Sequence, residues 1–329
     1  MKIVNHLNPK LFDKDIEMIP NRDGFGIGLK EAGEKDSRVV ALSADLTEST
    51  RTNLFAEAFP ERFIQVGVAE QNLASVASGL AAVGKIPFIT SYAMFSPGRN
   101  WEQIRTTIAY NNQPVKIIGA HSGISVGPDG ATHQAIEDIA IMRVMPNMSV
   151  IAPADIYEAQ KAVLWSATYD KPVYIRLGRA PVPVITTKAS PFVFGKAQML
   201  MERDSHKRNT VGIVVTGTLL HNALLAGKEL NDLDIGTSVL YVPTIKPLDT
   251  EAILDLAETH DLIITVEEHQ RAGGLGSAVA EFLSEKHPTR IIRIGVDDQF
   301  GQSGEPEELI KHYQMDKDYI VSSAKKFFK

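Results

Sequence analysis

The chain has 329 residues, of which 44% are hydrophobic and 22% are charged, and its formal net charge is −6. This composition is typical of a soluble globular protein large enough for two ordinary domains. The acidic balance gives a nucleic-acid partner no electrostatic support, and the lack of cysteine excludes disulfides, thiolate metal sites and thiol catalysis. No apolar run has signal-peptide or membrane length, which predicts a cytoplasmic protein without a membrane partner.

Short β-branched runs alternate with helix-length segments along almost the whole chain. In the first half the predicted strands are RVVALSAD (38–45), FIQVG (63–67), IPFIT (86–90), VKIIGA (115–120), MSVIAP (148–153) and PVYIRL (172–177). Helical patterns lie between them, as in QNLASVASGLAAVG (71–84) and DIYEAQKAVLWSATY (155–169). This alternation predicts βαβ units and a mostly parallel sheet covered on both faces.

A proline-rich stretch then interrupts the pattern. Pro181, Pro183 and Pro191 lie in APVPVITTKASPF (180–192), which indicates a domain connector. The alternation resumes with strands predicted at TVGIVVTG (210–217), GTSVLYVP (236–243), LIITVEE (262–268) and TRIIRIG (289–295). The predicted fold is therefore α/β with two three-layer domains. Residues 1–186 carry the mostly parallel sheet, and residues 187–329 form a smaller α/β domain.

Several common site motifs do not fit this sequence. GFGIG (24–28) precedes a predicted strand, whereas a dinucleotide fingerprint follows one. GGLGSAVAE (273–281) follows a strand and opens a helix, but without a P-loop lysine it indicates a tight turn with close helix packing. His121 and His133, with Asp129 between them, have the side chains for a zinc site, yet a hydrogen-bonding role is favoured. No G-x-S-x-G nucleophile elbow is present.

Ligands of open parallel sheets bind beyond the carboxyl ends of the strands. Four predicted loops at these ends are rich in polar or aromatic residues: SADLTEST (43–50), VGVAEQN (66–72), TSYAMFSPG (90–98) and AHSGISVGPDGATHQ (120–134). Glu70 stands out because it is a carboxylate in an apolar frame, between a strand and a helix. A first-turn acid stabilised by the helix dipole would by itself be an ordinary explanation.

Ordinary explanations also exist for the other residues taken singly. Asp129 suits a turn, and Thr132 suits the N-cap of a helix predicted over HQAIEDIAIMR (133–143). Tyr92 and Phe95 could be core aromatic residues. Arg22 and Arg179 could be surface charges. These separate explanations do not account for the concentration of such residues at strand ends and helix starts of one domain, which indicates a shared site.

The motifs SADLTES, VGVAEQN and HSGISVGPDGATHQ, in this order and spacing, resemble the second half of transketolase. The similarity continues through GIVVTGT (212–218) and EEHQRAGGLGSAVAE (267–281). It implies that residues 1–186 are a pyrimidine-binding domain and residues 187–329 a transketolase C-terminal domain. The implied reaction is the thiamine-diphosphate-dependent transfer of a two-carbon ketol unit from a (phospho)ketose donor to an aldose acceptor, through an ylide and a dihydroxyethyl intermediate.

The resemblance also implies how this chain holds the cofactor. Glu70 is expected to exchange a proton with a pyrimidine ring nitrogen, because an apolar frame disfavours the bare carboxylate. Tyr92 and Phe95 match the aromatic pair that packs against the pyrimidine. Asp45 is expected close to the cofactor or to the neighbouring site. Trp101 receives no role, because the segment before it is one residue longer than in related enzymes.

Substrate contacts follow from the same resemblance. His121 and His133 match two histidines near the reacting carbons, and Asp129 matches an aspartate that contacts a sugar hydroxyl. Guanidinium groups suit a phosphate because they offer paired donors in fixed geometry. The expected phosphate contacts are Arg22, Ser49, His121 and Arg179.

The diphosphate-binding domain of the family, marked by GDG and a downstream asparagine, has no counterpart in this sequence. The resemblance therefore implies the C-terminal subunit of a split transketolase, with no metal ligand of its own. A separate N-terminal subunit would hold the diphosphate and Mg²⁺ in an α2β2 assembly.

Three alternatives stay open at this point. One is the β subunit of a 2-oxo-acid dehydrogenase, although such subunits lack the D-G-x-T-H loop. Another is a deoxyxylulose-phosphate synthase type of chain, which usually lacks the histidine that corresponds to His121. The third is a non-catalytic scaffold subunit, and the joint presence of Glu70, His121 and His133 disfavours it.

Overall fold

The structure, a computed structural model, describes residues 1–204 and 206–329. Its strands are β1 (Lys2–Ile3), β2 (Met18–Ile19), β3 (Val39–Ser43), β4 (Phe63–Gln65), β5 (Ile86–Tyr92), β6 (Lys116–Ala120), β7 (Ser149–Ile151), β8 (Val173–Arg176), β9 (Val182–Pro183), β10 (Gln198–Glu202), β11 (Thr210–Val215), β12 (Gly236–Tyr241), β13 (Thr244–Lys246), β14 (Leu262–Gln270) and β15 (Ile291–Val296). Its α-helices are α1 (Asn21–Lys35), α2 (Asn53–Ala58), α3 (Glu70–Ala82), α4 (Trp101–Gln103), α5 (Asp138–Arg143), α6 (Ile156–Ala167), α7 (Leu220–Asp232), α8 (Thr250–Glu258), α9 (Leu275–Lys286), α10 (Pro306–His312) and α11 (Lys317–Phe327). A π-helical segment, Ile104–Ala109, continues α4. Within the described ranges, no helix combines the length and the apolar character needed to cross a membrane.

The first sheet confirms the predicted α/β class with a mostly parallel sheet. Its seven strands run in the order β13-β7-β8-β6-β5-β3-β4, and only the β13–β7 pair is antiparallel. Both faces are covered: Val40 and Leu42 of β3 pack on the α3 side, whereas Val39 and Ala41 pack on the side of α1 and α6. A strand buried on both faces needs apolar residues at every position, which is why β3 reads as a continuous apolar run.

The glycines of GFGIG serve helix packing. They lie in α1, which packs closely against α6. A Cβ atom at Gly24 would stand 2.0 Å from the carbonyl oxygen of Ile156, and one at Gly28 would stand 3.0 Å from that of Gln160. This segment is therefore a close helix contact, in line with the structural role that its context predicts.

The second sheet has six strands in the order β1-β10-β12-β11-β14-β15. The four neighbouring strands β12, β11, β14 and β15 are parallel. β10 pairs antiparallel with β12, and β1 pairs antiparallel with β10. Two short strands cross the predicted boundary between residues 186 and 187: β1 pairs in the second sheet, and β13 pairs in the first. The two sheets thus exchange edge strands, and the predicted boundary stays a prediction.

Buried polar groups join the two sheets beside the connector. Asp155 caps α6 and accepts hydrogen bonds from the backbone N–H groups of Ile185 and Thr186. Glu158, one turn into the same helix, accepts hydrogen bonds from the Ala154 N–H and from the hydroxyl of Tyr241 in β12. Burial raises the pKa of Glu158 to about 8, so this carboxyl is neutral at physiological pH.

Candidate active site

The predicted site residues come from five strand ends of the first sheet. Because neighbouring strands are parallel, their carboxyl ends lie at one edge, which gathers the loops after β3, β4, β5, β6 and β8. The start of α1 joins them through Asn21, a buried residue. Its side chain donates to the carbonyl of Pro153 at 3.0 Å and accepts from the N–H of Gly178 at 2.9 Å. Arg22 and Arg179, the next residue in each segment, are thereby placed at this edge.

Glu70 is the first residue of α3 and is only 1% exposed. Its Oε2 atom accepts a hydrogen bond from Arg99 Nη1 at 2.9 Å. Its Oε1 atom has a single long contact, 3.5 Å from the hydroxyl of Ser91. Asn100 donates to the backbone carbonyl of Glu70 at 2.9 Å and so fixes the start of the helix. The carboxylate is thus not as isolated as its apolar sequence neighbours suggest, since Arg99 supplies a counter-charge.

Four rings gather at the ends of β5 and β6 and form an aromatic group, which Arg99 links to Glu70 because its guanidinium contacts both the Phe95 ring and the Glu70 carboxylate. Tyr92 ends β5, and its ring lies 6.1 Å from that of Phe95, nearly parallel at 23°. On the loop after β6, His121 stacks on Tyr92, with the two ring centres 3.9 Å apart. His133 meets Phe95 edge-on at 5.5 Å and Tyr92 at 6.1 Å. These contacts bring together both aromatic residues and both histidines that the sequence selects.

The surroundings of His121 define its protonation. Arg22 Nη1 lies 3.0 Å from His121 Nε2, and a guanidinium only donates, so Nε2 accepts and Nδ1 carries the proton. Burial, together with the nearby Arg22 and Arg179, lowers the pKa of His121 to about 3. Its Nδ1 atom is buried without a hydrogen-bond partner in the described part of the chain. His121 is therefore a neutral ring with a free donor, suited to an oxygen of a ligand.

Three arginines lie near His121 and form an arginine corner: Arg22, Arg51 and Arg179. Arg22 donates to the backbone carbonyl of Ser49 at 2.8 Å, and Arg179 donates to that of Val126 at 2.7 Å. Burial, followed by the positive charge of Arg51, lowers the pKa of Arg22. Arg51 was not selected from the sequence. It has a positive φ of 66° and forms an ion pair with Asp23 at 2.6 Å. With three guanidinium groups and one paired carboxylate, the corner is electrostatically suited to an anion.

The second half of the chain supports the loop that carries both histidines. Glu268, at the end of the predicted strand LIITVEE, accepts from the N–H of Ser125 at 2.6 Å and from the hydroxyl of Thr218 at 2.7 Å. Gly123 has a φ of 83°, and a Cβ atom there would stand 2.3 Å from a Glu268 oxygen. Gln134 donates to the carbonyl of Gln302 at 2.9 Å. The loop is therefore held from outside its own domain.

Other predicted residues lie at the same edge without joining these contacts. Asp45 and Asp129 are exposed on their loops. Ser49 meets Arg22 through its backbone carbonyl. Thr132 does not cap a helix, because α5 begins only at Asp138, and its hydroxyl instead lies 2.9 Å from His133 Nδ1. Trp101 donates to the carbonyl of Ile141 at 2.9 Å and packs on the core, which gives it a structural place.

The geometry fits the heterocyclic part of thiamine diphosphate. Glu70 is a buried carboxylate with one free oxygen, and Arg99 links it to Phe95, whose ring lies nearly parallel to that of Tyr92. The carboxylate offers a hydrogen-bond partner for a ring nitrogen, and the two rings offer a stacking surface for a pyrimidine. For a metal ion the described ranges offer no group of three or more His, Cys, Asp or Glu side chains. The free oxygen of Glu70 and the paired rings of Tyr92 and Phe95 suit the ring end of the cofactor.

Two family models match the chain. The transketolase pyrimidine-binding domain matches residues 17–184, and the transketolase C-terminal domain matches residues 201–320. A chain of Methanocaldococcus jannaschii described as a transketolase C-terminal section is 43% identical over 91% of this chain and 93% of its own length. A 6-deoxy-6-sulfo-D-fructose transketolase subunit of a Clostridium species is 40% identical over 92% of each chain.

Two further similarities also concern separate chains. One of the apulose-4-phosphate transketolase subunits of Phocaeicola vulgatus is 38% identical over 95% of this chain and 98% of its own length. A solved structure of a split-gene transketolase, described as an inactive β4 tetramer, superimposes with a TM-score of 0.86. It is 42% identical and covers 94% of this chain and 98% of its own.

Proposed function

The chain belongs to the transketolase family, and we propose that it is the C-terminal subunit of a two-chain transketolase that moves a two-carbon ketol unit from an anionic ketose to an aldose. The observation that carries the proposal is Glu70, which is buried with one carboxylate oxygen free and is linked through Arg99 to the paired rings of Phe95 and Tyr92. The partner chain is inferred from the relatives, since three chains of matching length are described as a section or a subunit of a transketolase.

Thiamine diphosphate, when bound, supplies a nucleophilic carbon and an electron sink for breaking a carbon–carbon bond. In this chain Glu70 holds and moves the proton at the pyrimidine nitrogen, while Tyr92 and Phe95 hold the ring by stacking. Asp45, on the loop after β3, lies at the same edge and approaches the cofactor. The diphosphate and Mg²⁺ are assigned to the partner subunit.

The substrate lies between the histidines and the arginines. His121 donates its Nδ1–H to a substrate oxygen, and because the pKa of His121 is about 3 it does so as a neutral ring throughout the physiological range. His133 approaches the same oxygens, and Asp129 accepts from a sugar hydroxyl. Arg22, Ser49 and Arg179 bind the anionic end of the ketose, with His121 beside them.

The experiment that tests the function uses the chain with its partner. This chain and a candidate N-terminal subunit, chosen for a GDG motif with a downstream asparagine, are assayed alone and mixed, with thiamine diphosphate and Mg²⁺. Ketol transfer in the mixture and in neither chain alone is expected, because each chain carries half of the site. Transfer by this chain alone, or a mixture that only decarboxylates 2-oxo acids, would contradict the proposal.

Replacing Arg179 by alanine is expected to raise the apparent KM for phosphorylated ketoses by roughly 10- to 100-fold, the scale of one charge-assisted hydrogen bond. The turnover number should change little, because Arg179 lies at the anion end of the site. Steady-state kinetics with a phosphorylated ketose and with its unphosphorylated counterpart measure the effect.

Arg38→Ala is the matched control for this variant. Arg38 is exposed, pairs with Asp36 and lies at the opposite end of β3 from the site. Its kinetics should equal those of the wild type. If Arg179→Ala impaired phosphorylated and unphosphorylated ketoses equally, the anion-binding role would be wrong.

A further inference from the structure

Arg99 contacts Glu70 and has no assigned role in the site described above. We propose that Arg99 is a positioning residue, which fixes one oxygen of the Glu70 carboxylate and leaves the other free for the pyrimidine nitrogen of the cofactor. The inference rests on the proposed function, because it concerns how Glu70 meets thiamine diphosphate. It adds to that function a residue on which the orientation of the proton-exchanging group depends.

The two oxygens of Glu70 have different surroundings. Oε2 accepts a charge-assisted hydrogen bond from Arg99 Nη1 at 2.9 Å. Oε1 lies 3.5 Å from the Ser91 hydroxyl, well beyond the usual length of about 2.7–2.8 Å for a hydrogen bond between two oxygens. One oxygen is thus anchored, and the other keeps nearly all its capacity to accept from a ring nitrogen.

Charge gives Arg99 a second effect on Glu70. A carboxylate that is only 1% exposed is costly to keep ionised without a paired cation. Arg99 supplies that cation from a half-exposed position, so its own desolvation cost is small. The titratable rings nearby, His121, His133 and Tyr92, pack among themselves and against Phe95. Within the described ranges, the ion pair that Glu70 forms is therefore the one with Arg99.

Arg99 is itself held in place. Its guanidinium carbon stands 4.9 Å from the centre of the Phe95 ring, within cation–π range. The backbone N–H of Arg99 donates to the backbone carbonyl of Phe95 at 2.9 Å. The next residue, Asn100, is buried and donates both to the Glu70 carbonyl and to the Ser96 hydroxyl. The turn after β5 thus holds Glu70 at two points: Asn100 binds its backbone carbonyl, and Arg99 binds its carboxylate.

A purely structural ion pair makes a different prediction. If Arg99 only attached the turn to α3, its loss would loosen the site for every ligand alike. If Arg99 orients the Glu70 carboxylate, its loss should weaken ligands that have the ring nitrogen and spare ligands that lack it. Thiamine diphosphate and an analogue in which carbon replaces that nitrogen separate the two cases.

The test uses the assembled complex with its partner subunit, in wild-type form and with Arg99→Met or Arg99→Lys. Calorimetric titration measures the affinity for thiamine diphosphate and for the analogue. Arg99→Met should weaken thiamine diphosphate about 10-fold, the scale of one charge-assisted hydrogen bond, and leave the affinity for the analogue unchanged. Arg99→Lys should recover most of the loss because it keeps the charge.

Arg105→Met is the matched control, since Arg105 is an exposed arginine of the same segment without an ion pair in the described part of the chain. It should bind both compounds as the wild type does. Equal weakening of both compounds by Arg99→Met, or no weakening of either, would overturn the positioning role. A wild-type complex that fails to bind thiamine diphosphate would overturn the proposed function itself, and this inference with it.

Discussion

Replacing Glu70 by alanine is expected to lower the turnover of the assembled enzyme by roughly 10²- to 10⁴-fold, the usual scale for a lost acid–base group. The physical reason is the single free oxygen of Glu70, to which we assign the proton exchange with the cofactor ring in the proposed function. Glu70→Gln should be similarly slow, because an amide of the same shape cannot exchange that proton. Steady-state ketol transfer by each variant, assembled with the partner, measures the effect.

Assembly and folding should survive in the Glu70 variants. Arg99 loses its partner, but its side chain is half exposed and water can solvate it. Glu61→Ala provides the control, since Glu61 is an exposed glutamate that precedes β4, at the opposite end of that strand from the site, and should leave turnover unchanged. Near-normal turnover of Glu70→Ala would favour a non-catalytic scaffold, in which the partner carries all the chemistry.

Replacing Glu158 by glutamine is expected to make the protein more stable than the wild type at mildly alkaline pH. Burial raises the pKa of Glu158 from its ordinary value of 4.5 to about 8 in the folded chain. Between these values the unfolded chain has lost the proton while the folded chain keeps it. The stability contributed by this group therefore falls as pH rises through that window, by about 1.4 kcal/mol per pH unit, and levels off above the folded pKa.

An amide at this position stays neutral at every pH and can still accept from Tyr241 and from the Ala154 N–H. The free energy of unfolding of Glu158→Gln minus that of the wild type should thus grow between about pH 5 and pH 8. Denaturant titrations at several pH values give this difference. Glu267, whose pKa burial raises to about 7, contributes in the same direction to both proteins and cancels in the subtraction. A difference that stays constant with pH would show that Glu158 ionises normally in the folded chain.

Much of the fold could be predicted from local patterns in the sequence. Each of the strands predicted from the sequence overlaps an observed strand, because a strand buried on both faces must be a short continuous apolar run. The rule that parallel strands present their carboxyl ends at one edge then predicted which loops would meet. Glu70, Tyr92, Phe95, His121 and His133 were selected on that basis and from the family resemblance. The structure brings the four rings together, and Arg99 links Glu70 to Phe95.

Other features depended on contacts that no local pattern records. Arg99 lies 29 residues from Glu70 in sequence, and its segment is one residue longer than in related enzymes, so the ion pair between them could not be predicted from the sequence. Arg51 reaches the arginine corner through a left-handed backbone conformation. The helix predicted over residues 133–143 begins only at Asp138, because the loop before it is held by Glu268 and by the loop around Gln302.

The sequence by itself determined the alternation of strands and helices, the edge of the sheet where the candidate site lies and the family to which the chain belongs. Each of these follows from residue type and spacing over short distances. Only the tertiary structure decided the partner of Glu70, the protonation of His121 and the neutral state of Glu158. Those properties depend on burial and on charges brought close by packing, and the free energy of an ionised group is set by its surroundings in space.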